Sequence, residues 1–536
     1  MKKRVIAGLL ATVMVLGMAG CGNTTSKEGS GPVENNATEE VSSTADTATT
    51  VIEEPKEPVT IVYYYMNNVG EQQYTNQVEE KLNEILKGLE GYEHISMDLV
   101  PCGTDYAQAF TLAQASGTQI DLVSTYGLDF STLVSNGDFM PLEDLLASHP
   151  DVVSEVPEWL VETGNVHGTL YQIPTYQQAA NVHFLCIPKV YLDMTGKTKE
   201  DVREILWNGT QKDLLDFYEE LCLASRKGTG KDTKYIYDEF QYSQYECAET
   251  IGGLTGLYFV EEDSSIVYDY LSDGYKEKLE RFAQWFVDGL IHPDIATLKS
   301  SEYDGKNFMN DVSFVFQNSN GAYTEEMREE RLSASAGTEV VCITKTDHYF
   351  IPSKYEAGGN AIYADCKHPE EAMMIIELLM TDKGEEFYNT LVWGLEGTHY
   401  EWVEEGKRIK TLEYDGSQGG TTSTYHAFKW NVGNTFNCWL NQAVQDGINE
   451  YIENEVHNGE TTTTSAVMGI TWDLSSVADQ VAQVKAVMKE YDWKSIIICG
   501  KDWEARYNEM VQKLNAAGIQ DIIACAEKQY ADFMAK

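Results

Sequence analysis

Thirty-two Tyr, 17 Phe and ten Trp are the side chains of this 536-residue sequence best suited to recognition chemistry, and none occurs before Tyr63. Sugar rings present apolar C–H faces that stack on flat aromatic rings, while their hydroxyls pair with Asp, Asn and Arg. A cleft walled by Tyr and Trp and lined by carboxylates and amides is, in chemical terms, a carbohydrate site. Most of the rings must nonetheless fill the core. Groups that make and break bonds lack the spacing for it. There is no G-x-S-x-G elbow, no H-E-x-x-H, no G-x-x-x-x-G-K-[ST] and no G-x-G-x-x-G after a strand. The ten His are scattered, none at i, i+4 with another His or a Cys. With 85 Asp and Glu, some pair always resembles a glycosidase dyad, so spacing alone argues for none. The expectation is a binding protein with no catalytic residues, no metal and no cofactor.

Charge excludes further classes. Acidic residues outnumber basic ones 85 to 39, a formal charge of −46. Such a body repels phosphate backbones and anionic lipid headgroups, so nucleic acid and polyanionic solutes are not its ligands. At about 150 residues per domain, the length allows two to four units. Ten Cys are too sparse for a disulfide scaffold.

The start of the chain reads as an export signal. Lys2, Lys3 and Arg4 precede an apolar run from Val5 to Ala19, about 15 residues, short for a membrane span and right for a secretory segment. It ends in Leu16-Gly17-Met18-Ala19-Gly20-Cys21, which resembles a bacterial lipobox with Cys21 as the lipidated first residue of the mature protein. Removing residues 1–20 takes away three positive charges and no acidic ones, leaving −49. Residues 21–57 are rich in Thr, Ser, Glu, Gly and Asn without one aromatic ring; they cannot bury enough apolar surface to order, and read as a tether. Nine Cys remain after Cys21, without a C-x-x-C pair or a zinc spacing, and are expected to be buried thiols.

The aromatic residues must be positioned by a folded body beginning near Pro58. Val59–Tyr65, Ile95–Val100 and Ile120–Ser124 are strand candidates. Between them, Val78, Leu82, Ile85, Leu86 and Leu89 form one face of a helix, and Asp105–Ser116 a second helix closed by Gly117. Strand, helix, strand, helix, strand is the pattern of a parallel sheet. Helices are expected from Leu142, across Glu200–Ala224 and Tyr275–Val287, after Pro369, over 477–491 with Ser476 and Asp479 as capping pair, and over Trp503–Leu514 up to Gly518. Asp311–Gln317 and Glu339–Thr344 are later strands, and Glu401–Thr424 a polar surface excursion.

Several segments, in this order, resemble the extracellular solute-binding lipoproteins of ATP-binding-cassette importers, carbohydrate type. Gly117-Thr-Gln-Ile-Asp121-Leu-Val is similar to that family's A-S-G-x-x-x-D-L-V strand start, and Gly137-Asp-Phe139-Met-Pro141-Leu-Glu-Asp144-Leu to its G-x-F-x-P-L-x-D-L. Gly168, Tyr171, Ile173 and Pro174 match its G-x-x-Y-x-I-P crossing, and Lys367-His368-Pro369-Glu370-Glu371-Ala372 its helix start, with Cys366 in place of Ser. Gly394-Leu-Glu396-Gly-Thr-His399-Tyr400, Trp472-Asp473-Leu474 and Leu514-Asn515-Ala-Ala-Gly518 resemble a Firmicutes subgroup carrying a C-terminal domain of unknown function. Leu185–Gly230 follows that subgroup poorly.

The resemblance implies an α/β fold of two lobes, periplasmic-binding-protein-like (type II), hinged between lobes and extended by C-terminal helices. Its implied division is signal peptide 1–20, tether 21–57, first lobe 58–176, second lobe 177–337, returns to the first at 338–382 and the second at 383–464, and a subgroup-specific region 465–536. Ligands of open α/β sheets sit at the strands' carboxyl ends. That places Tyr65 and Asn67, Thr104 and Asp105, and Tyr126 at the ligand, with Tyr176 and Gln177 past the crossing and Trp393, Glu396, Tyr400 and Trp430 from the second lobe. The implied function is capture of a small solute, an oligosaccharide, at the cell surface. The protein would be a monomer, lipid-anchored to the outer face of the cytoplasmic membrane, delivering its cargo to permease subunits. A peptide receptor, a surface glycoside hydrolase and an adhesin or signalling receptor are the alternatives.

Overall fold

A computed structural model describes residues 56–180, 182–237, 248–298, 313–320, 324–353, 358–412, 424–442, 444 and 446–535. The signal segment, Cys21 and the tether up to residue 55 lie outside the described residues.

The first lobe is built on a five-stranded sheet. Val59–Asn68 lies between Ile95–Gly103 and Leu122–Ser124, parallel to both; Gly359–Ile362 pairs antiparallel with Leu122–Ser124, and Ile173–Pro174 antiparallel with Gly359–Ile362 at the far edge. Val78, Leu82, Ile85 and Leu86 of helix Thr75–Gly88 face this sheet from one side. Phe110 and Ala113 of helix Tyr106–Ser116 face it from the other. Gly117, at φ +68°, ends the second helix with its N–H on the Ala113 and Gln114 carbonyls. The helix Pro369–Met380, apolar on nearly every side, is buried in the same core.

The second lobe carries a three-stranded sheet with His183–Pro188 between Gln317–Asn320 and Val340–Thr344, both antiparallel to it. Side chains alternate across this sheet as the pleat requires. Leu185, Ile187, Val341 and Ile343 face the main second-lobe core, whereas Phe184, Cys186, Val340 and Cys342 face a smaller core with Ile448, Ile452 and Val456. The C-terminal helices Ala478–Glu490, Trp503–Ala516 and Ile519–Met534 are not an appendage. Their Val484, Met510, Leu514 and Ile522 join the core of Leu279, Phe282 and Trp285.

Among the described residues, three stretches join the lobes, lying within 175–182, 345–358 and 440–465. The passages are bonded to one another and to their surroundings. Strand Tyr349–Ile351 pairs with Thr462–Thr464, and the Tyr349 and Tyr451 hydroxyls meet at 2.8 Å. The Ala179 N–H donates to His457 Nε2 at 2.9 Å. His457 is buried against Trp159 and Tyr176, and desolvation pulls its pKa down to about 4.

That shift has a sign. The unfolded chain protonates His457 near pH 6.5 and the folded one only near 4, so acid favours unfolding. The contribution is complete above pH 6.5 and disappears as pH falls through 4, up to about 3 kcal/mol. Thermal midpoints measured from pH 7 to 4 should fall less steeply for His457→Gln than for the parent. Parallel curves would remove His457 from the account.

Several expectations differ from the structure. Among the described residues expected to return to the second lobe, Phe387, Tyr388, Trp393, Tyr400 and Trp439 instead share a core with the first-lobe sheet. Val340–Thr344 stays with the second lobe because it pairs with His183–Pro188, so the return to the first lobe begins after 344 rather than at 338. Glu200–Ala224 is two helices, Lys199–Asn208 and Gln211–Thr229, because Thr210 and Asp213 form a capping box that restarts the chain after Gly209. Tyr400–Glu404 and Arg408–Thr411 are a β-hairpin within the expected excursion, whose residues 413–423 lie outside the described residues. Ser476 lies in a 3₁₀ turn and caps nothing. The strand expected over Asp311–Gln317 is split into Ser313–Phe314 and Gln317–Asn320.

Candidate functional site

The carboxyl ends of Val59–Asn68 and Leu122–Ser124, the end of Ile173–Pro174 and the start of Gly359–Ile362 all meet at one edge of the first-lobe sheet. The chain leaves for the second lobe from Pro174 and returns to Gly359, so this edge is where the lobes adjoin. One segment, 425–434, is laid across it by buried hydrogen bonds. Ser124 Oγ donates to the Asn431 carbonyl at 2.7 Å, Thr175 Oγ1 to the Trp430 carbonyl at 2.9 Å, and Asn360 Nδ2 to the Val432 carbonyl at 2.9 Å. Asn431 Nδ2 donates to the Met66 carbonyl at 3.0 Å. Tyr63, deep in the sheet, orients Asn360 by donating to its Oδ1 at 2.8 Å.

The result is a row of half-buried rings. Trp430 meets Tyr126 edge-on with centroids 4.7 Å apart, stacks on Phe428 at 4.9 Å and 17°, and Phe428 adjoins His426 at 5.5 Å. His426 is fixed in turn: its Nε2 donates to the Asn67 carbonyl at 3.1 Å, and its Nδ1 accepts from Gln72 Nε2 at 3.3 Å. Flat rings, half exposed and held by their backbones, can stack on an apolar ligand face without ordering cost at the moment of binding.

The loop carrying Tyr126 is equally constrained. Thr125 Oγ1 donates to Gln172 Oε1 at 2.5 Å and accepts from the Gly359 N–H at 2.9 Å. Gly358, at φ +69°, leaves no room for a side chain: a Cβ there would lie 2.8 Å from the Tyr126 nitrogen and 2.7 Å from Thr125 Oγ1. Gly358→Ala is therefore expected to displace Tyr126 and cost about 1–3 kcal/mol. Denaturant unfolding checks the stability loss, and Tyr126-dependent ligand affinity should fall with it.

The anticipated residues divide accordingly. Tyr126 and Trp430 meet, and Gln177 follows two residues after Thr175, which holds Trp430. Thr104 and Asp105 are exposed after the second strand, where Gly103 bridges Val69. Tyr65 is wholly buried, and burial drives its hydroxyl far above the ordinary range. Asn67 is spent on its own turn, with Oδ1 accepting from the Val69 and Gly70 N–H groups and Nδ2 donating to the Gly70 carbonyl. Tyr176 packs on Phe436 at 4.5 Å, its hydroxyl pushed up to about 12 by burial. Trp393 and Tyr400 are core residues of the first lobe, 6% and 5% exposed. Glu396 is exposed on the turn beside Tyr400. Trp430 belongs to the first-lobe edge, not to the second lobe. Phe428 and His426 went unnoticed in the sequence, although both alternate with buried Tyr425 and Ala427 in the chain that leads into the short helix Lys429–Val432 carrying Trp430.

Surface hollows on the second lobe offer no comparable platform. One of about 520 Å³ lies between helices Gln211–Thr229 and Asp273–Val287 and is lined largely by charge, with Arg281 already held by Asp216 at 2.5 Å and Glu219 at 2.9 Å.

Comparison with solved structures gives the same architecture. The N-glycan transport solute-binding protein NgtS of Streptococcus pneumoniae superposes with a TM-score of 0.67 at 19% identity, covering 90% of this chain and 100% of that one. The S. pneumoniae substrate-binding protein FusA, in complex with kestose, gives 0.58 at 14%, covering 89% and 100%. A protein of Bifidobacterium longum infantis described as an HMO-binding ABC-transporter-associated solute-binding protein gives 0.59 at 14%, covering 90% and 100%. Residues 466–535 match the family described as "Domain of unknown function (DUF3502)". No curated protein matches by sequence. The two-lobe solute-binding fold read from the sequence is borne out, together with its C-terminal domain. No helix among the described residues is long and apolar enough to cross a membrane.

Proposed function

We propose that this chain is the extracellular binding component of an importer, capturing an oligosaccharide between its lobes and delivering it unchanged to permease subunits in the membrane. The observation that carries this reading is the row Tyr126, Trp430, Phe428 at the sheet edge where the lobes adjoin. Stacked, backbone-anchored rings suit the apolar faces of consecutive sugar units. Exposed Thr104 and Asp105 and half-buried Gln177 supply hydroxyl partners nearby in the fold. Closure follows from differential affinity, the closed form being favoured by as much as the ligand binds it better. Cys21 anchors the protein to the outer face of the cytoplasmic membrane through lipid, the acidic tether spaces it from the surface, and it acts as a monomer. The three passages divide the folded body into a first lobe of 58–174 and 359–439 and a second of 183–344 and 465–536.

The test is a thermal-shift and calorimetric screen against mono-, oligosaccharide and peptide panels. A ligand at 100 times its Kd adds about 2.7 kcal/mol, a shift of a few degrees. Saccharide hits recovered intact support import. Peptide hits alone would move the ligand class while leaving the fold, and cleavage of a bound oligosaccharide would replace capture by hydrolysis.

A further inference from the structure

We propose that Cys186 and Cys342 are joined by a disulfide in the exported protein, closing the second lobe into a covalent loop. Both lie on the second-lobe sheet as direct cross-strand partners, with side chains on the same face. Their sulfurs are 3.3 Å apart.

The ladder parity makes the pairing favourable. The Lys345 N–H bonds the His183 carbonyl, and the Lys189 N–H bonds the Glu339 carbonyl, each at 2.8 Å. Opposed pairs in an antiparallel ladder alternate between hydrogen-bonded and non-hydrogen-bonded. Cys186 and Cys342 lie three residues inward from each of those bonded pairs, hence in a non-hydrogen-bonded one. The Cys342 N–H confirms the parity by pointing off the ladder, to Glu329 Oε1 at 3.0 Å. Non-hydrogen-bonded pairs bring their Cα atoms to about 4.5 Å, where side chains are closest. That distance falls within the range of about 4.4–6.8 Å that a disulfide spans. Other thiols are engaged elsewhere: Cys222 donates to the Lys234 carbonyl at 3.2 Å and Cys102 to the Val100 carbonyl at 3.5 Å.

Each thiol gives up its hydrogen as the Sγ–Sγ bond forms. The two electrons and two protons reduce a second disulfide, low-molecular-weight or on a thiol oxidoreductase, whose S–S bond breaks to two thiols. Extracellular compartments favour this direction. Both sulfurs are fully buried, and the contact of its thiol with the Cys186 sulfur, together with burial, drives the Cys342 thiol far above its ordinary range. The thiolate that must attack is therefore scarce in the folded chain. The bond forms while the strands assemble, and a folded reduced protein oxidises slowly. The proposal depends on export but not on which ligand is bound.

The experiment is to unfold and reduce the full chain, then refold it in buffer containing reduced and oxidised glutathione. Protein that has regained its native circular dichroism is alkylated in denaturant and digested. The expected product is a Cys186–Cys342 cross-linked peptide pair, lighter by two hydrogens than the two thiol peptides. The oxidised protein should melt a few degrees above the same protein refolded with reductant alone, and Cys342→Ala should melt alike in both buffers. Complete alkylation of both residues, or each capped by glutathione, in natively folded protein overturns the proposal. The mass readout needs no variant, so a Cys342→Ala chain that fails to fold leaves it decisive.

Discussion

Trp430→Ala is expected to lower affinity for the proposed oligosaccharide ligand by about 30-fold or more, a loss of about 2 kcal/mol for an aromatic anchor at the centre of a site. Trp430 sits between two neighbours, edge-on to Tyr126 and stacked on Phe428. Removing its ring therefore withdraws a stacking surface and takes one neighbour from each of the remaining rings. The main chain stays in place, because the bond from Thr175 goes to the Trp430 carbonyl and the one from Ser124 to the Asn431 carbonyl. The variant should thus keep its fold and its melting temperature without ligand, and lose the ligand-induced rise. Trp430→Phe should retain most of the affinity. Isothermal calorimetry with the best saccharide from the screen decides the matter: affinity equal to the parent for Trp430→Ala removes the ring row from the site.

Ending the chain at residue 465 is expected to destroy the second lobe rather than trim it. Val484, Ile496, Ile497, Met510, Leu514, Ile519 and Ile522 are wholly inaccessible to solvent and share a core with Phe282 and Trp285. Trp493 meets the Phe282 ring edge-on at 5.8 Å. Without these helices the opposing face of Asp273–Val287 is exposed as a contiguous apolar surface, which soluble monomers rarely tolerate. The truncated chain should aggregate on expression. A gentler probe, Leu514→Ala, should cost about 2–5 kcal/mol, as filled-core truncations do. A soluble truncated chain with the parent's melting temperature and affinity would show the domain to be separable. The expected outcome gives the domain of unknown function a first role, as the wall that completes the second lobe.

Local elements were legible because local physics sets them. The first three strands and the two helices between them follow from alternation, 3.6-residue spacing and the left-handed glycine at 117. What escaped was lobe membership. Residues 387–439 are apolar enough for either core, and only the bonds from Asn360, Ser124 and Thr175 decide which they join. Partners 72 to 307 residues apart leave no trace in a local pattern. The same limit separates Tyr65 and Trp393, rings inside the core, from Tyr126 and Trp430, rings at its edge. Residue type is identical, and only the tertiary fold distinguishes them. The Thr210–Asp213 capping box was legible in principle, as a Thr followed three residues later by an acid after Gly209.

The three passages between the lobes also bear on how the protein moves. Two bodies joined by one flexible strand can bend, twist and slide, and a ligand must then immobilise all of those motions. Here 349–351 is laddered to 462–464, Ala179 is bonded to His457, and the Thr435 N–H holds the Tyr176 carbonyl at 2.7 Å. Side-by-side attachment resists torsion and shear far more than it resists flexing about the line that the passages share. Opening and closing then reduce to nearly one coordinate, with the trajectory written into the free protein. On the proposed function, saccharides would be sorted by whether their length suits that single path, and a chain too long to be enclosed would hold the jaws apart however well its end units stack.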